Sequence, residues 1–235
     1  MKIIWHNIID STFSAMENAK NILHHGDVWA ARFQSAGRGQ RGNVWCSDAG
    51  QNLTFSVFLV PEALAAADQF YVCQAISLGI CGYLESKGVL AAVKWPNDIY
   101  VGDRKICGIL IEHSVAGGTV KNTLAGIGLN LNQTEFPDWI PNPTSLKLET
   151  GADCDPEDEL EPLLGHIFAE FDAMPGDAPE RYLERLYLRG IPHSFTVAAT
   201  GERFSGRIKG TAPDGRLIIE APDGERLFAF KEVIY

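Results

Sequence analysis

Apolar and polar positions alternate with two periods along this chain, and the switches between them mark its elements. Residues 3–8 alternate as a short strand. Asp10-Ser11-Thr12 then supply helix N-cap chemistry, and Ser14-x-x-Glu17 offers a capping box for a helix running to His25. Residues 27–34 predict a buried strand, and residues 53–60, rich in β-branched and aromatic side chains, a central one. Between them, residues 35–51 form a long polar loop with glycines at 37, 39, 42 and 50. Loops of that length in compact domains are usually functional. Residues 66–87 place Phe70, Cys73, Ile76, Ile80 and Leu84 close to a 3.6-residue repeat, the pattern of a buried helix. Four strands follow over 91–95, 99–101, 106–114 and 119–132, the last two joined as a hairpin through Gly117-Gly118. Two further helices fit residues 157–172 and 179–189.

Helices and strands mix here without strict βαβ alternation, which predicts an α+β domain with a mixed sheet packed against helices. Residues 136–145 carry Pro137, Pro141 and Pro143 and read as a surface connection. After Gly190 the character changes to short alternating strands, separated by Ala212-Pro213-Asp214-Gly215 and Ala221-Pro222-Asp223-Gly224. Proline at a turn's first corner and glycine at its end are turn chemistry. The chain thus divides into a large domain over residues 1–190 and a small up-and-down β unit over 191–235. That unit is barely large enough to hold a core alone and is expected to dock on the larger domain.

Charge narrows the function classes. Twenty Lys plus Arg against thirty Asp plus Glu give −10. Residues 149–180 hold eleven of the acidic residues and no Lys or Arg, so the remainder is close to neutral. That stretch reads as a solvated helical face. An acidic chain exerts no long-range attraction on DNA or an anionic bilayer, which argues against nucleic-acid and membrane partners. No apolar run is long enough to span a bilayer, and the polar N-terminus is not a secretory signal. The five cysteines (46, 73, 81, 107, 154) form no Cys-x-x-Cys pair and have no histidine at metal spacing. They read as free thiols of a reducing compartment, so the chain is expected to be cytoplasmic.

Three segments carry chemistry. Gly37-Arg38-Gly39-Gln40-Arg41-Gly42-Asn43 alternates glycine with cations. Glycines let backbone N–H groups turn inward on an anion, and arginines give forked donors to phosphate or carboxylate. The segment is neither a Walker loop nor a dinucleotide fingerprint, and a bland mobile loop is the alternative. The second segment is Lys94-Trp95-Pro96-Asn97-Asp98, followed by Lys105 and Gly108. A turn at Gly102-Asp103 would place Asp98 and Lys105 near the same end of two adjacent strands. Both a structural ion pair and a lysine held for an anionic ligand fit that placement. The third is Gly126-Ile127-Gly128-Leu129-Asn130, where strand glycines permit close ligand approach, although a bulge is the commoner reason for them.

In this order, Asp10-Ser11-Thr12, Gln34-Ser35-Ala36-Gly37-Arg38-Gly39-Gln40-Arg41-Gly42 with Trp45, Lys94-Trp95-Pro96-Asn97-Asp98, Arg104-Lys105 with Gly108, and Gly126-x-Gly-x-Asn130 closely resemble the catalytic domain of biotin protein ligases. These are the biotin–[acetyl-CoA-carboxylase] ligases. The likeness is to the form lacking an N-terminal DNA-binding domain, because the Ser-Thr motif already begins at residue 11. The motifs span residues 9–132, and the β unit after residue 190 looks like the family's SH3-like barrel. The resemblance implies a class II synthetase-like biotin/lipoate ligase fold. It also implies a two-step reaction: biotin attacks the α-phosphate of ATP, carried with Mg²⁺, to give biotinyl-5′-AMP and pyrophosphate. A lysine of a biotin carboxyl carrier domain, part of a biotin-dependent carboxylase, then takes the biotinyl group.

Carried over by motif, Lys105, Arg38 and Asp98 are the catalytic residues. Biotin is implied to contact Ser11, Thr12, Gln34, Gly37, Arg38, Gly39, Gln40, Lys105 and Gly108; the nucleotide, Arg38, Arg41, Trp45, Asn97, Lys105 and Asn130. Ser11 and Thr12 serve equally as helix caps, and Trp45 either packs on adenine or anchors the loop. Asp98 either orients the incoming lysine or binds the metal ion. The family includes monomers and homodimers. Three positions depart from its pattern: Phe13 follows Ser11-Thr12 in place of asparagine, and Gln40 and Asn43 stand where many relatives have arginine. Rival readings of the same fold are a lipoate ligase, an octanoyl or lipoyl transferase, whose catalytic cysteine Cys107 could suggest although it lies within an apolar strand and reads as core, and a non-catalytic biotin sensor.

Overall fold

The computed structural model describes residues 1–235, the side chain of Arg41 excepted. Seven strands form one sheet: β1 (Lys2–His6), β2 (Asp27–Ala31), β3 (Leu53–Leu59), β4 (Ala92–Lys94), β5 (Asp98–Val101), β6 (Arg104–Ala116) and β7 (Thr119–Leu129). Their order is β1-β2-β3-β7-β6-β5-β4. Only β1 and β2 run parallel; every other neighbouring pair in this sheet is antiparallel.

Alternation along β3 divides the sheet's two faces. Leu53, Phe55, Val57 and Leu59 enter the main core, with Ile109, Ile127 and Leu129 from the neighbouring strands. Helices α2 (Phe70–Ser86) and α4 (Pro156–Asp172) cover this face, and α5 (Ala178–Glu184) packs on α2. Each such side chain contributes about 1.5–3 kcal/mol on burial. Phe58 points to the other face, where it meets Phe13 and Met16 of α1 (Thr12–Ala19) with Leu110 and Leu124. Between Phe58 and the end of the strand, that second face carries only Ser56 and Thr54, and opposite them lie glycines 126 and 128. Gly108 on β6 is paired with Gly128. Three glycines therefore leave a trough in the middle of a sheet whose reverse side is solid core.

A second, five-stranded antiparallel sheet follows, in the order β11-β10-β9-β8-β12. Its strands are β8 (Pro192–Val197), β9 (Arg203–Thr211), β10 (Leu217–Ala221), β11 (Gly224–Phe228) and β12 (Val233–Ile234). Both expected turns fall between strands, and Gly215 takes the positive φ of 86° that its turn requires. Trp95 ties the two sheets together: its indole Nε1 donates to Gly215 O at 2.8 Å, and Phe230 meets its ring edge-on at 6.3 Å.

Several boundaries differ from the sequence expectation. The first helix stops at Ala19 and continues only as a 3₁₀ turn over Lys20–Ile22, short of His25. Its cap is Ser11, whose side chain accepts from the Ser14 N–H at 3.3 Å, so the Ser14–Glu17 capping box does not form. Glu17 is bonded to Arg38 instead. Strand β2 ends three residues early, where the chain turns into the glycine-rich loop, and β7 ends at Leu129. A short helix α3 (Leu146–Thr150), capped by Ser145, was not foreseen, and α5 ends at Glu184. The acidic stretch is not simply a solvated face. Glu149 pairs with Arg104, Glu157 with Arg32, Glu159 with Lys87 and Glu170 with Arg181, which stitches it to the rest of the chain.

Helices α2 and α4 cross at Gly79, where an added Cβ would lie 2.6 Å from the Ile167 Cα. Gly79→Ala should therefore cost about 1–3 kcal/mol by forcing the helices apart. An unchanged urea midpoint would contradict this packing.

Candidate active site

The glycine-rich loop folds as a tight hairpin over the trough. Trp45 N donates to Gly37 O at 2.9 Å and Gly39 N to Asn43 O at 2.7 Å. A Cβ on Gly37 would meet the Trp45 carbonyl oxygen at 2.4 Å, so only glycine lets this hairpin close. Closure drops the Trp45 indole into the trough. A Cβ on Gly128 would sit 2.2 Å from the indole Cε2, and one on Gly108 would sit 3.0 Å from Cζ3.

Trp45 thereby divides the space above the sheet in two. On one side is a small cavity of about 50 Å³, bordered by Ser11, Thr12, Gln34, Arg38, Gly39, Gln40, Lys105 and Gly108. On the other is an open cavity of about 750 Å³, bordered by Lys94, Asn97, Asp98, Lys105, Asn130 and the C-terminal Phe230 and Tyr235. Trp45, Asn97, Asp98, Lys105, Gly39 and Gln40 border both. Eight of the nine residues expected around biotin thus surround one cavity. The ninth, Gly37, borders neither; its place is structural, behind the hairpin.

Polar groups line the closed end. Gln34 Oε1 accepts from the Thr12 backbone N–H at 2.7 Å and from its hydroxyl at 3.1 Å, and that hydroxyl lies 2.9 Å from Ser56 Oγ. Ser11 caps α1 and borders the cavity at once. At the seam between the cavities Lys105 Nζ lies 2.7 Å from Asp98 Oδ1, as the Gly102-Asp103 turn predicts. Lys94 is directly opposite Asp98 in register, and its ammonium donates to the Tyr100 hydroxyl at 3.4 Å. Burial pulls the Lys94 pKa below the ordinary lysine range; Asp98 opposes that pull and Lys105 adds to it. Its Nζ lies 4.9 Å from the Tyr100 ring centroid and 5.3 Å from that of Tyr235. Burial, then the charge of Asp98, pushes the Tyr100 hydroxyl up to about 12, so it stays protonated.

Two nucleotide assignments take on detail. Asn97 Nδ2 donates to Ile109 O at 2.6 Å, so that amide group holds the strand as it borders both cavities. Asn130 is buried; its Nδ2 donates to Thr144 O at 2.9 Å, while its Oδ1 has no protein partner. Trp45 Nε1 is likewise buried and unpaired. The side chain of Arg41 lies outside the described residues. Asp98 is the one carboxylate bordering either cavity, and among the described residues no three His, Cys, Asp or Glu side chains converge as a metal cluster. Lys94, Tyr100 and Tyr235 were not assigned a role from sequence. Lys94 sits inside a quoted motif, but Tyr235 is brought in from the far end of the chain and carries no local signal.

The site is thus a two-chambered trough with a lysine at the seam and a glycine–arginine hairpin over it, an arrangement suited to anionic ligands. Residues 5–130 match the model of the biotin/lipoate A/B protein ligase family, and the chain belongs to that family. It is 36% identical over 224 residues to a biotin–[acetyl-CoA-carboxylase] ligase of Paracoccus denitrificans, across 89% of this chain and 91% of that one. It is 31% identical over 233 residues to the bifunctional ligase/repressor BirA of Bacillus subtilis, across 94% of this chain and 70% of that one. The structure of a biotin protein ligase from Aquifex aeolicus, in complex with biotin and ATP, aligns with a TM-score of 0.81 at 25% identity, covering 99% of this chain and 97% of that one.

The transferase reading requires a reactive Cys107. Its thiol is fully buried, and burial pushes its pKa far above the ordinary thiol value, which disfavours the thiolate. At pH 8 an alkylating reagent should modify the exposed Cys46 and leave Cys107 untouched until the protein unfolds. Peptide mapping checks this; early modification of Cys107 would reopen the transferase reading.

Proposed function

We propose that this protein is a biotin protein ligase that activates biotin with MgATP and transfers it to a lysine of a biotin carboxyl carrier domain. One observation carries the reading: among the described residues, Lys105 is the only cation bordering both cavities. In this reading biotin occupies the small cavity, widened on binding, with its polar ring groups toward Ser11, Thr12 and Gln34. ATP occupies the large cavity, with Trp45 between the two and Asn130 beside the nucleotide. The carboxylate and the α-phosphate then meet at Lys105.

The first step needs that cation. A carboxylate oxygen forms a bond to the α-phosphorus as the bond to the β-phosphate oxygen breaks, and pyrophosphate departs. Two anions are forced together, and a fixed ammonium offsets their repulsion most as charge builds in the transition state. Mg²⁺ bound with ATP would offset charge on the leaving pyrophosphate, and Asp98 is the side-chain carboxylate at the cavities that would help hold it. Asp98 fixes the Lys105 ammonium in place. In the second step the acceptor amine attacks the biotinyl carbonyl carbon and AMP leaves. Asp98 is the carboxylate positioned to orient that amine and take its proton.

Residues 1–190 serve as the catalytic domain in this reading, and residues 191–235 as an SH3-like unit whose last residues wall the nucleotide chamber. A net charge of −10 gives DNA no long-range attraction, so the macromolecular partner is the acceptor protein. Five free cysteines support a reducing, cytoplasmic setting, and no helix among the described residues is long and apolar enough to cross a membrane.

ATP–pyrophosphate exchange, run with biotin, lipoate and octanoate in parallel, tests this. Exchange should require biotin. Exchange driven by lipoate would move the chain to the lipoate branch, and tight biotin binding without exchange would make it a sensor. Lys105→Ala should lower exchange by about two to three orders of magnitude. Unchanged exchange in that variant would refute the role given to Lys105.

A further inference from the structure

Arg38 is the loop's one described cation, and its guanidinium is already committed within the protein. Nη1 donates to Glu17 Oε2 at 3.1 Å and to Ser14 Oγ at 3.3 Å, and Nη2 donates to Glu112 Oε1 at 3.4 Å. The guanidinium carbon lies 5.1 Å from the centroid of the Phe13 ring. Ser14 and Glu17 belong to α1, and Glu112 to β6. Both elements also border the small cavity, as does Arg38 itself. The side chain therefore runs from the hairpin to two elements of the chamber that the hairpin covers.

The platform beneath it is rigid. Phe13 is 3% exposed, and it packs with Met16, Phe58, Leu110 and Leu124. Its ring lies so close to the sheet that a Cβ on Gly126 would meet Phe13 Cδ2 at 2.9 Å. This is the third position of the Ser-Thr triplet, where the family pattern has asparagine. Here an aromatic face holds the guanidinium by cation–π attraction in place of a polar contact.

We propose that Glu17, Glu112 and Phe13 are positioning residues which latch the Arg38 hairpin over the small cavity, and so set how long the acyl-adenylate stays bound. The proposal rests on the biotin-ligase reading. The contacts have the strength such a device needs. Arg38, Glu17 and Glu112 side chains are 40%, 42% and 46% exposed, so each pair is solvent-screened and individually weak. Several weak contacts that form together hold a loop down yet release it, whereas a buried ion pair would resist opening. The guanidinium has five N–H donors. The latch uses those of Nη1 and one of Nη2, which leaves Nε and the second Nη2 hydrogen free for a ligand oxygen. Latching and ligand contact are thus compatible in one side chain.

The opposite hypothesis is that the two carboxylates compete with the ligand for Arg38, and it predicts the opposite sign. Biotinyl-AMP formed on the enzyme would be chased with unlabelled biotin, in wild type, Glu17→Gln, Glu112→Gln and the double variant. The latch predicts release about two- to fivefold faster per substitution, more in the double variant, with exchange kcat within about twofold of wild type. It also predicts that either substitution has no further effect in an Arg38→Gly background. Release equal to or slower than wild type, or an undiminished effect in the Arg38→Gly background, would overturn it. Amide hydrogen exchange of residues 38–45 in the ligand-free protein is a readout independent of the substrate. Faster exchange in Glu112→Gln supports the latch, and unchanged exchange counts against it. A wild type that forms no biotinyl-AMP would refute the biotin reading, and the latch would then stand or fall on hydrogen exchange alone.

Discussion

The site depends on a sheet that is solid on one face and stripped on the other. Strand alternation makes this possible, because successive residues serve opposite faces. Cys107, Ile109, Ile127 and Leu129 pack into the core, while their neighbours at 108, 126 and 128 are glycines. Glycine inside a strand sacrifices packing and conformational entropy. The loss is tolerated because β6 and β7, which carry the glycines, lie inside the sheet with a bonded neighbour on each side and because α2 and α4 cover the reverse face. What the sheet gains is depth. Trp45 and Phe13 come to rest on bare backbone, and the chambers form on either side of the indole.

Charge placement follows from the same register. Lys94, Asp98 and Gly108 lie side by side across three strands, so Asp98 is flanked by Lys94 from β4 and by Lys105 reaching back from β6. The carboxylate pairs with Lys105, while the Lys94 ammonium donates to the Tyr100 hydroxyl and lies over the Tyr100 and Tyr235 rings. An incoming anion meets a net positive seam in a protein whose total charge is −10. The surplus acid is elsewhere: on α3 and α4 it is matched with Arg104, Arg32 and Lys87, so it adds stitching at the surface rather than a field at the trough.

Local pattern revealed the elements well and the assembly only in part. The long strands β3, β6 and β7 and helix α2 were legible because each repeats its period several times. The Asp98–Lys105 pair was legible because a two-residue turn fixes strand register. The motif set, read as a family resemblance, named eight of the nine expected biotin contacts among the residues bordering the small cavity, but not Phe55 or Ser56, which border it too. Contacts that join distant parts of the chain were not legible. Nothing near Tyr235 or Phe230 marks them as a wall opposite Lys94, and nothing near Glu112 marks it as a partner of Arg38 some seventy residues earlier. Phe13 was legible as a departure from the family but not as the platform it forms. The capping box failed for a related reason: Ser11 is the true cap, which frees Glu17 to pair across the chamber.

Of the buried polar side-chain atoms without a protein partner among the described residues, two belong to residues that border the large cavity. A buried polar group without a partner costs about 1–3 kcal/mol, and most proteins satisfy nearly all of them. Trp45 Nε1 and Asn130 Oδ1 are both buried and unpaired, and both residues border the large cavity. One is a donor and the other an acceptor, and the indole nitrogen is pressed against the sheet, where a Cβ on Gly128 would lie 2.6 Å from it. The latch around Arg38 has the complementary character, with contacts satisfied in the protein but weak enough to exchange. In the proposed reading the sheet is the fixed floor of the site, and the solvent-screened contacts of Arg38 are the part that can open.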